Sequence, residues 1–499
     1  MKSAVECIDY FMTIIQSLAI PASKLPAKAV KARVVSSMTS RLASFSPSMS
    51  SITDPTSQLA ATICSIDYDA LDSATVAAVK RLISDGIAVA IAGTGEAAPR
   101  IVSEHLRAIK ASPDATVWGS GFKTSAQHAA YTNAVAMHVL DFEPMSNPST
   151  HAVSPTVPVA FALAEARGAH GRDIIAACAK GFEAQGCVLA AAMPERGSLP
   201  FHTPGVIGVI GSAVTAGHIL GLDAGQLANA LGISASRAAG LPANTGSMVK
   251  STHCGNAASA GVEAALLAAR GFSANPEIFA APRGYVETFF PAHFDYPTLL
   301  AFGNPYRCVD PGMAIKFYPS KYPTHFGVAA ALEARQTISD PALIRSVHIT
   351  TPDIIDANRP QPRGGLEGKF SFQYTVAAAL LDGAVGITSF TDARRFTADM
   401  VDLLAKTSLS YDCSIPQDTR SMHVKVHVAL NDGTTRTAIC RKPPGTWGVP
   451  VDVDQHRAKI RDCLSVHLRA SSIEPVVDLL DRLEDLTSHD IARLTALLA

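Results

Sequence analysis

Apolar positions recur at helical spacing through the first part of the chain and then change period. In 71–93, Val76, Val79, Ile83 and Ile87 mark one face of a helix that Asp72 or Ser73 can cap. Ala-rich runs at 157–167, 173–192, 205–222, 225–236 and 257–270 are apolar or small nearly all round. Such runs predict helices buried on more than one side, and therefore a large helical bundle. Gly205, Gly208 and Gly211 repeat every three residues, but they lack the Gly-x-Gly-x-x-Gly spacing and the following Lys-Ser/Thr of a phosphate loop. Close helix packing is the reading they support.

Around Pro311 the texture shifts. Residues 346–355 carry a β-rich core, and in 421–440 Met422, Val424, Val426, Val428 and Leu430 alternate with His423, Lys425, His427 and Ala429. Asn431-Asp432-Gly433 then supplies a turn, so a β-hairpin is predicted. Between these segments, 322–336 and 373–381 read as helices, and the tail returns to helix at 454–469 and 488–499. The expected fold is mainly α. A large all-α helical domain spans 54–311 and a smaller α+β unit spans 312–446. C-terminal helices at 447–499 rejoin the helical domain, which makes the α+β unit an insertion.

Composition narrows the class. Of 499 residues, 47% are hydrophobic and 17% charged, which describes a well-buried globular chain. The net charge of −1 comes without a sustained basic stripe, which argues against nucleic acid as the main partner. An anion-binding site must then be local. The nine cysteines show no Cys-x-x-Cys and no short Cys/His cluster with metal-ligand spacing, so reduced thiols in an intracellular protein are expected. No stretch is expected to span a membrane; 197–222 lacks charge but carries Pro200, His202, Pro204 and several Gly, Ser and Thr. The leader, 1–53, has no Asp or Glu from Phe11 onward, while Lys24, Lys28, Lys31, Arg33 and Arg41 recur. It reads as a mitochondrial-type transit peptide or as a disordered basic tail, with a cytoplasmic location in the second case. Glu6 and Asp9 fit the transit peptide less well.

Five segments draw polar groups into apolar surroundings. The most informative is 246–255, where Lys250 and His253 stand three residues apart at the opening of an Ala-rich helix. That spacing places both on one helix face, and a helix N-terminus attracts anions. A carboxylate-bearing substrate with a proton donor or acceptor beside it suits the pair; a surface Lys near a buried His is the plainer alternative. His138-Val139-Leu140-Asp141-Phe142-Glu143 followed by His151 offers a carboxylate to orient an imidazole. Helix capping by Asp141 would serve the same residues. His202 precedes the Gly205 helix; by itself it reads as structural. Ile315-Lys316 through Thr324-His325 lies at the junction between the two units, and junction clefts favour binding. Lys316 and His325 are anion and proton-transfer candidates. In Gly368-Lys369-Phe370-Ser371-Phe372-Gln373-Tyr374, the Tyr374 hydroxyl is a possible donor to a substrate oxygen, with core packing as its alternative.

Taken in order, Leu140-Asp141-Phe142 with His151, Met248-Val249-Lys250-x-x-His253, Ile315-Lys316-x-Tyr318-Pro319 with Thr324-His325, and Lys369-Phe370-Ser371 with Tyr374 resemble the MmgE/PrpD family. Arg81-Leu-Ile-Ser-Asp85-Gly86 looks like its N-terminal helix, and the likeness runs from about 55 to 499. The resemblance implies a homodimer whose active site lies between an all-α domain and an α+β lid, with no metal and no organic cofactor. Members include 2-methylcitrate dehydratases, cis-aconitate decarboxylases and an iminodisuccinate epimerase, all moving protons beside a carboxylate. It implies pocket roles for Asp141, His151, His202, Lys250, Lys316 and Tyr374, with His253 and His325 as neighbours.

One departure bears on the substrate. Many members carry Leu-Asp-Phe-Asp-Asp-Thr where this chain reads Leu140-Asp141-Phe142-Glu143-Pro144-Met145. Met145 cannot donate a strong hydrogen bond, which counts against both the dehydratase and the decarboxylase and leaves room for a related acid. The expectation is a cofactor-independent lyase on a small di- or tricarboxylate, with neither nucleic acid nor membrane as partner. Lys250 and Lys316 would hold carboxylates, His151 oriented by Asp141 would move the proton, and Tyr374 or His202 would assist. The alternatives are an isomerase, such as an iminodisuccinate epimerase, and a silent acid-binding paralogue.

Overall fold

The computed structural model describes residues 54–192 and 199–499. The leader and its two readings lie outside the described residues. The first helix of the bundle begins at Pro55, and the helix Ser73–Gly93 is capped by Asp72, whose side chain accepts from Thr75 N at 2.6 Å. Against it pack Ala126–Val139, Val157–Arg167 and Gly171–Ala192, and Gly208–Ile219 and Val249–Ala268 pack against these in turn. Small residues allow the close approach. An added Cβ on Gly205 would run into the Ala239 carbonyl, and one on Gly211 into the Gln185 side chain. Among the described residues, one helix is long and apolar enough to cross a membrane by length and composition alone: Gly171–Ala192. Its window is 94% buried within the protein, which makes it the central core helix of the bundle.

Ile460, Leu464, Val476, Leu480, Ile491 and Leu494, from the C-terminal helices, belong to the same core as Ile83, Ile87 and Phe182. A second core gathers residues from Ala314 to Trp447, joined by Met145. There a four-stranded sheet runs in the order Thr407–Tyr411, Ile344–Thr351, Val424–Leu430, Thr435–Cys440. The first pair is parallel and the others antiparallel. The predicted hairpin is present, with Gly433 at φ 85° in its turn. Thr324–Arg335 and Phe372–Asp382 contribute Phe326 and Phe372 to the core over this sheet.

Two features escaped the periodicity. Thr407–Tyr411 is a polar edge strand, joined to its neighbour partly through His348, whose ring nitrogens lie 2.9 Å from the hydroxyls of Ser408 and Ser410. The Ala-rich helix predicted from 257 begins at Val249, so Lys250 and His253 lie in its first turns. Met145 and Ala314 exchange backbone hydrogen bonds of 2.9 and 2.8 Å, tying the segment after Asp141 to the start of the second core.

Candidate active site

The site grows from the end of one helix. Ala126–Val139 stops at Leu140, and Asp141 takes φ 52°, a left-handed conformation that Asp adopts more readily than most side chains. Its amide donates to the His138 carbonyl at 3.0 Å, and the chain doubles back so that His138, Asp141, Glu143 and His151 converge.

Lysines from two other segments meet there. Lys250 Nζ donates to Asp141 Oδ2 at 2.9 Å and to His138 Nε2 at 2.9 Å. Lys316 donates to the Asp141 carbonyl at 2.8 Å and to its carboxylate Oδ1. An ammonium has no acceptor, so His138 Nε2 must accept and its Nδ1–H must donate to Glu143 Oε1. Ser154 donates to the same oxygen at 2.8 Å. His151 Nδ1 lies 3.0 Å from that oxygen, off the alignment of a hydrogen bond, and its Nε2 lies 3.7 Å from Asp141 Oδ1. Asp141 therefore faces lysines, and the carboxylate nearest His151 is Glu143.

Charge follows from these contacts. Burial alone would raise the Asp141 carboxyl, but Lys250 and Lys316 more than offset it and hold it well below the usual range. Burial opposes ionisation of Glu143 too, but His138, which donates its Nδ1–H, and His151 beside it hold the carboxyl well below the usual range. Burial, with Lys250 beside it, pushes His138 down to about 4, so its imidazole is neutral at neutral pH. The same two causes depress His202 and His253, whose Nδ1 atoms sit 2.9 Å apart and must share one proton.

A narrow cleft of about 50 Å³ reaches this cluster, lined by His138, Lys250, Ser247 and Met248 on one side and Leu366 and Phe370 on the other. The far wall belongs to the 365–370 segment, which opens with the short helix Gly365–Gly368. Arg359 fastens that segment, bonding Glu367 Oε1 at 3.1 Å and the Thr245 carbonyl at 3.4 Å.

Asp141, His151, Lys250 and Lys316 are brought together, and His202 and His253 stand beside them, with the His138 and His202 rings 5.6 Å apart. Two expected residues direct their hydrogen bonds to backbone carbonyls outside the cluster. His325 donates from Nε2 to the Ser320 carbonyl at 3.2 Å and packs between Tyr318 and Tyr322. Tyr374 donates to the Ser389 carbonyl at 2.5 Å inside the second core, and burial pushes its hydroxyl up to about 12. In this structure the hydroxyl is engaged by a backbone carbonyl and not by a side chain of the Asp141 cluster. Tyr374→Phe should leave kcat within about twofold of wild type, while losing one buried hydrogen bond should cost about 1–3 kcal/mol of stability. Parallel kinetic and thermal-unfolding measurements check this.

Sequence reasoning did not nominate His138, Glu143, Ser154 or Lys369. A signal existed for the first two, since they are polar residues set among Val139, Leu140 and Phe142 at a predicted helix end. Among the described residues, His138, Glu143 and His151 also have potential metal-ligand atoms within 4.8 Å of one another. The Lys250 ammonium, 2.9 Å from His138 Nε2, opposes a dication there.

The MmgE/PrpD N-terminal domain matches residues 57–296, and the MmgE/PrpD C-terminal domain matches 318–482. A cis-aconitate decarboxylase of Mus musculus is 32% identical over 437 residues, covering 84% of this chain and 88% of that protein. One of Homo sapiens is 31% identical over 436 residues, covering 84% and 89%. A cis-aconitate decarboxylase of Aspergillus terreus is 26% identical over 452 residues, covering 84% and 91%.

Proposed function

The chain belongs to the MmgE/PrpD family, and from that premise we propose that it is a carboxy-lyase that releases CO2 from cis-aconitate or a close tricarboxylate. The observation that carries the reading is Lys250, which lines the cleft 2.9 Å from both Asp141 and the neutral His138. Loss of CO2 leaves an electron pair on carbon, and one proton must then be added to the skeleton. Such a site gains most by placing fixed positive charge where the negative charge develops. Lys250 is the cation that reaches the cleft, and Lys316, fully buried, holds Asp141 beneath it. Asp141 is thus the post on which both lysines are set.

Proton transfer falls to the histidines. His151, whose Nδ1 lies 3.0 Å from Glu143, serves in this reading as the general acid or base. His202, backed by His253, offers a shared proton beside it. Each step is assigned to a side chain, so the reading is cofactor-independent. The relatives' decarboxylase activity also outweighs the missing hydroxyl at Met145, whose backbone is engaged by Ala314.

Proton NMR in D2O, with EDTA-treated protein and cis-aconitate, is the test. Itaconate carrying one solvent-derived deuterium is the expected product. An alkene formed from citrate or 2-methylcitrate instead would make the protein a hydro-lyase. Exchange or epimerisation without CO2, seen with iminodisuccinate, would make it an isomerase. No turnover of any of these acids would overturn the lyase.

A further inference from the structure

Three consecutive carbonyls at the turn of the site each accept from a different buried lysine. Lys369 donates to Leu140 O at 3.1 Å, Lys316 to Asp141 O at 2.8 Å and Lys459 to Phe142 O at 3.1 Å. The three come from the 365–370 segment, the junction near 316 and the C-terminal helix Val453–Ser465. Carbonyls at the end of a helix carry excess negative charge, so ammonium groups are favoured there.

Lys459 differs from the other two in resting on a second carboxylate, Asp85, which does not line the cleft. Its three protons are all used, on Asp85 Oδ1 at 2.9 Å, Asp85 Oδ2 at 2.8 Å and Phe142 O. Its ammonium also lies 4.1 Å from the centre of the Phe142 ring. His456, one helical turn before it, reaches Asp85 Oδ2 at 2.9 Å. Asp85 is fully buried, and Lys459 and His456 nearly so. A buried pair of this kind adds little net stability over apolar residues of similar volume. What it does add is a cation held against one backbone oxygen, next to the residue with left-handed φ.

We propose that Lys459, fixed by Asp85 and His456, is a positioning residue: with Lys316 and Lys369 it clamps the 140–142 carbonyls and keeps Asp141 aimed at Lys250. Its kinetic consequence rests on the lyase reading above. Lys459→Met removes the clamp but strands Asp85, so stability and geometry both change. The double variant Asp85→Asn with Lys459→Met removes the stranded charge as well, and only the clamp stays missing.

The test compares kcat, KM and thermal midpoint for wild type and both variants. Displacing a catalytic group by an ångström costs on the order of 100-fold, so kcat should fall roughly 10- to 100-fold in both, with KM within about threefold. The double variant should recover most of the lost thermal midpoint and none of the lost kcat. Recovery of kcat together with the midpoint, or wild-type kcat in Lys459→Met, overturns the proposal. So does failure of both variants to fold, which would make the cluster purely structural. A readout independent of turnover separates this from failure of the lyase reading. In ¹⁵N-histidine spectra of the resting protein, His138 and His151 should shift in both variants. Unchanged spectra in the double variant overturn the clamp whatever the substrate.

Discussion

Lys250→Met should lower kcat/KM for cis-aconitate by roughly 10³-fold, about 4 kcal/mol of transition-state stabilisation. Methionine keeps the hydrocarbon stem and deletes only the cation. Asp141 retains Lys316 on its other oxygen, so the carboxylate is not stranded and the fold should survive. The expected loss of stability is about 1–3 kcal/mol, from the unmet acceptors at Asp141 Oδ2 and His138 Nε2. Steady-state rates beside thermal unfolding measure the two effects separately. A variant with wild-type turnover would remove Lys250 from the chemistry and the lyase assignment with it.

Glu143→Gln should lower kcat by up to the roughly 10²- to 10⁴-fold that a positioned general acid or base contributes. The carboxylate receives the His138 N–H and the Ser154 hydroxyl on one oxygen and faces His151 with the same atom. An amide keeps the shape but removes the negative charge from the oxygen that receives the His138 N–H and the Ser154 hydroxyl and that faces His151. Stability should respond to pH in a defined direction. Because the native carboxyl lies well below its ordinary 4.5, Glu143 stabilises the fold at all pH above that value. The contribution is lost as pH falls through the lower native value. The Gln variant should therefore be less stable near neutrality and show a shallower decline into acid. Denaturant titrations at pH 7, 5 and 3 would display it; parallel curves would mean that Glu143 is not held ionised.

These two residues were not equally legible. Lys250 stood out because a cation and an imidazole at i, i+3 in a small-residue stretch form a local pattern, and because Asp141 and Lys316 fall in ordered motifs around it. Glu143 appeared only as a departure from the family's usual Asp, and the structure makes it the acceptor shared by Ser154 and His138. Tyr374 shows where a local motif stops being informative. Its motif is present, yet rotation about the Phe372–Asp382 helix and the nearness of Ser389 O decide where the hydroxyl goes. The strand Thr407–Tyr411 was invisible because its polar residues pair with His348 at an edge, outside any apolar alternation.

By itself the sequence determined the helical bundle and the hairpin at 424–440, and it singled out Lys250 as a candidate cation. Each rests on a period or spacing within a few residues, where backbone geometry dictates which side chains share a face. The tertiary structure alone decided that Glu143 rather than Asp141 lies closest to His151, that His138 stands at the centre, and that Lys459 meets Asp85 across 374 residues of chain. Contacts of that range are set by how helices pack and where the chain reverses at Asp141. Burial then turns each one into a shifted charge, and no local pattern records it.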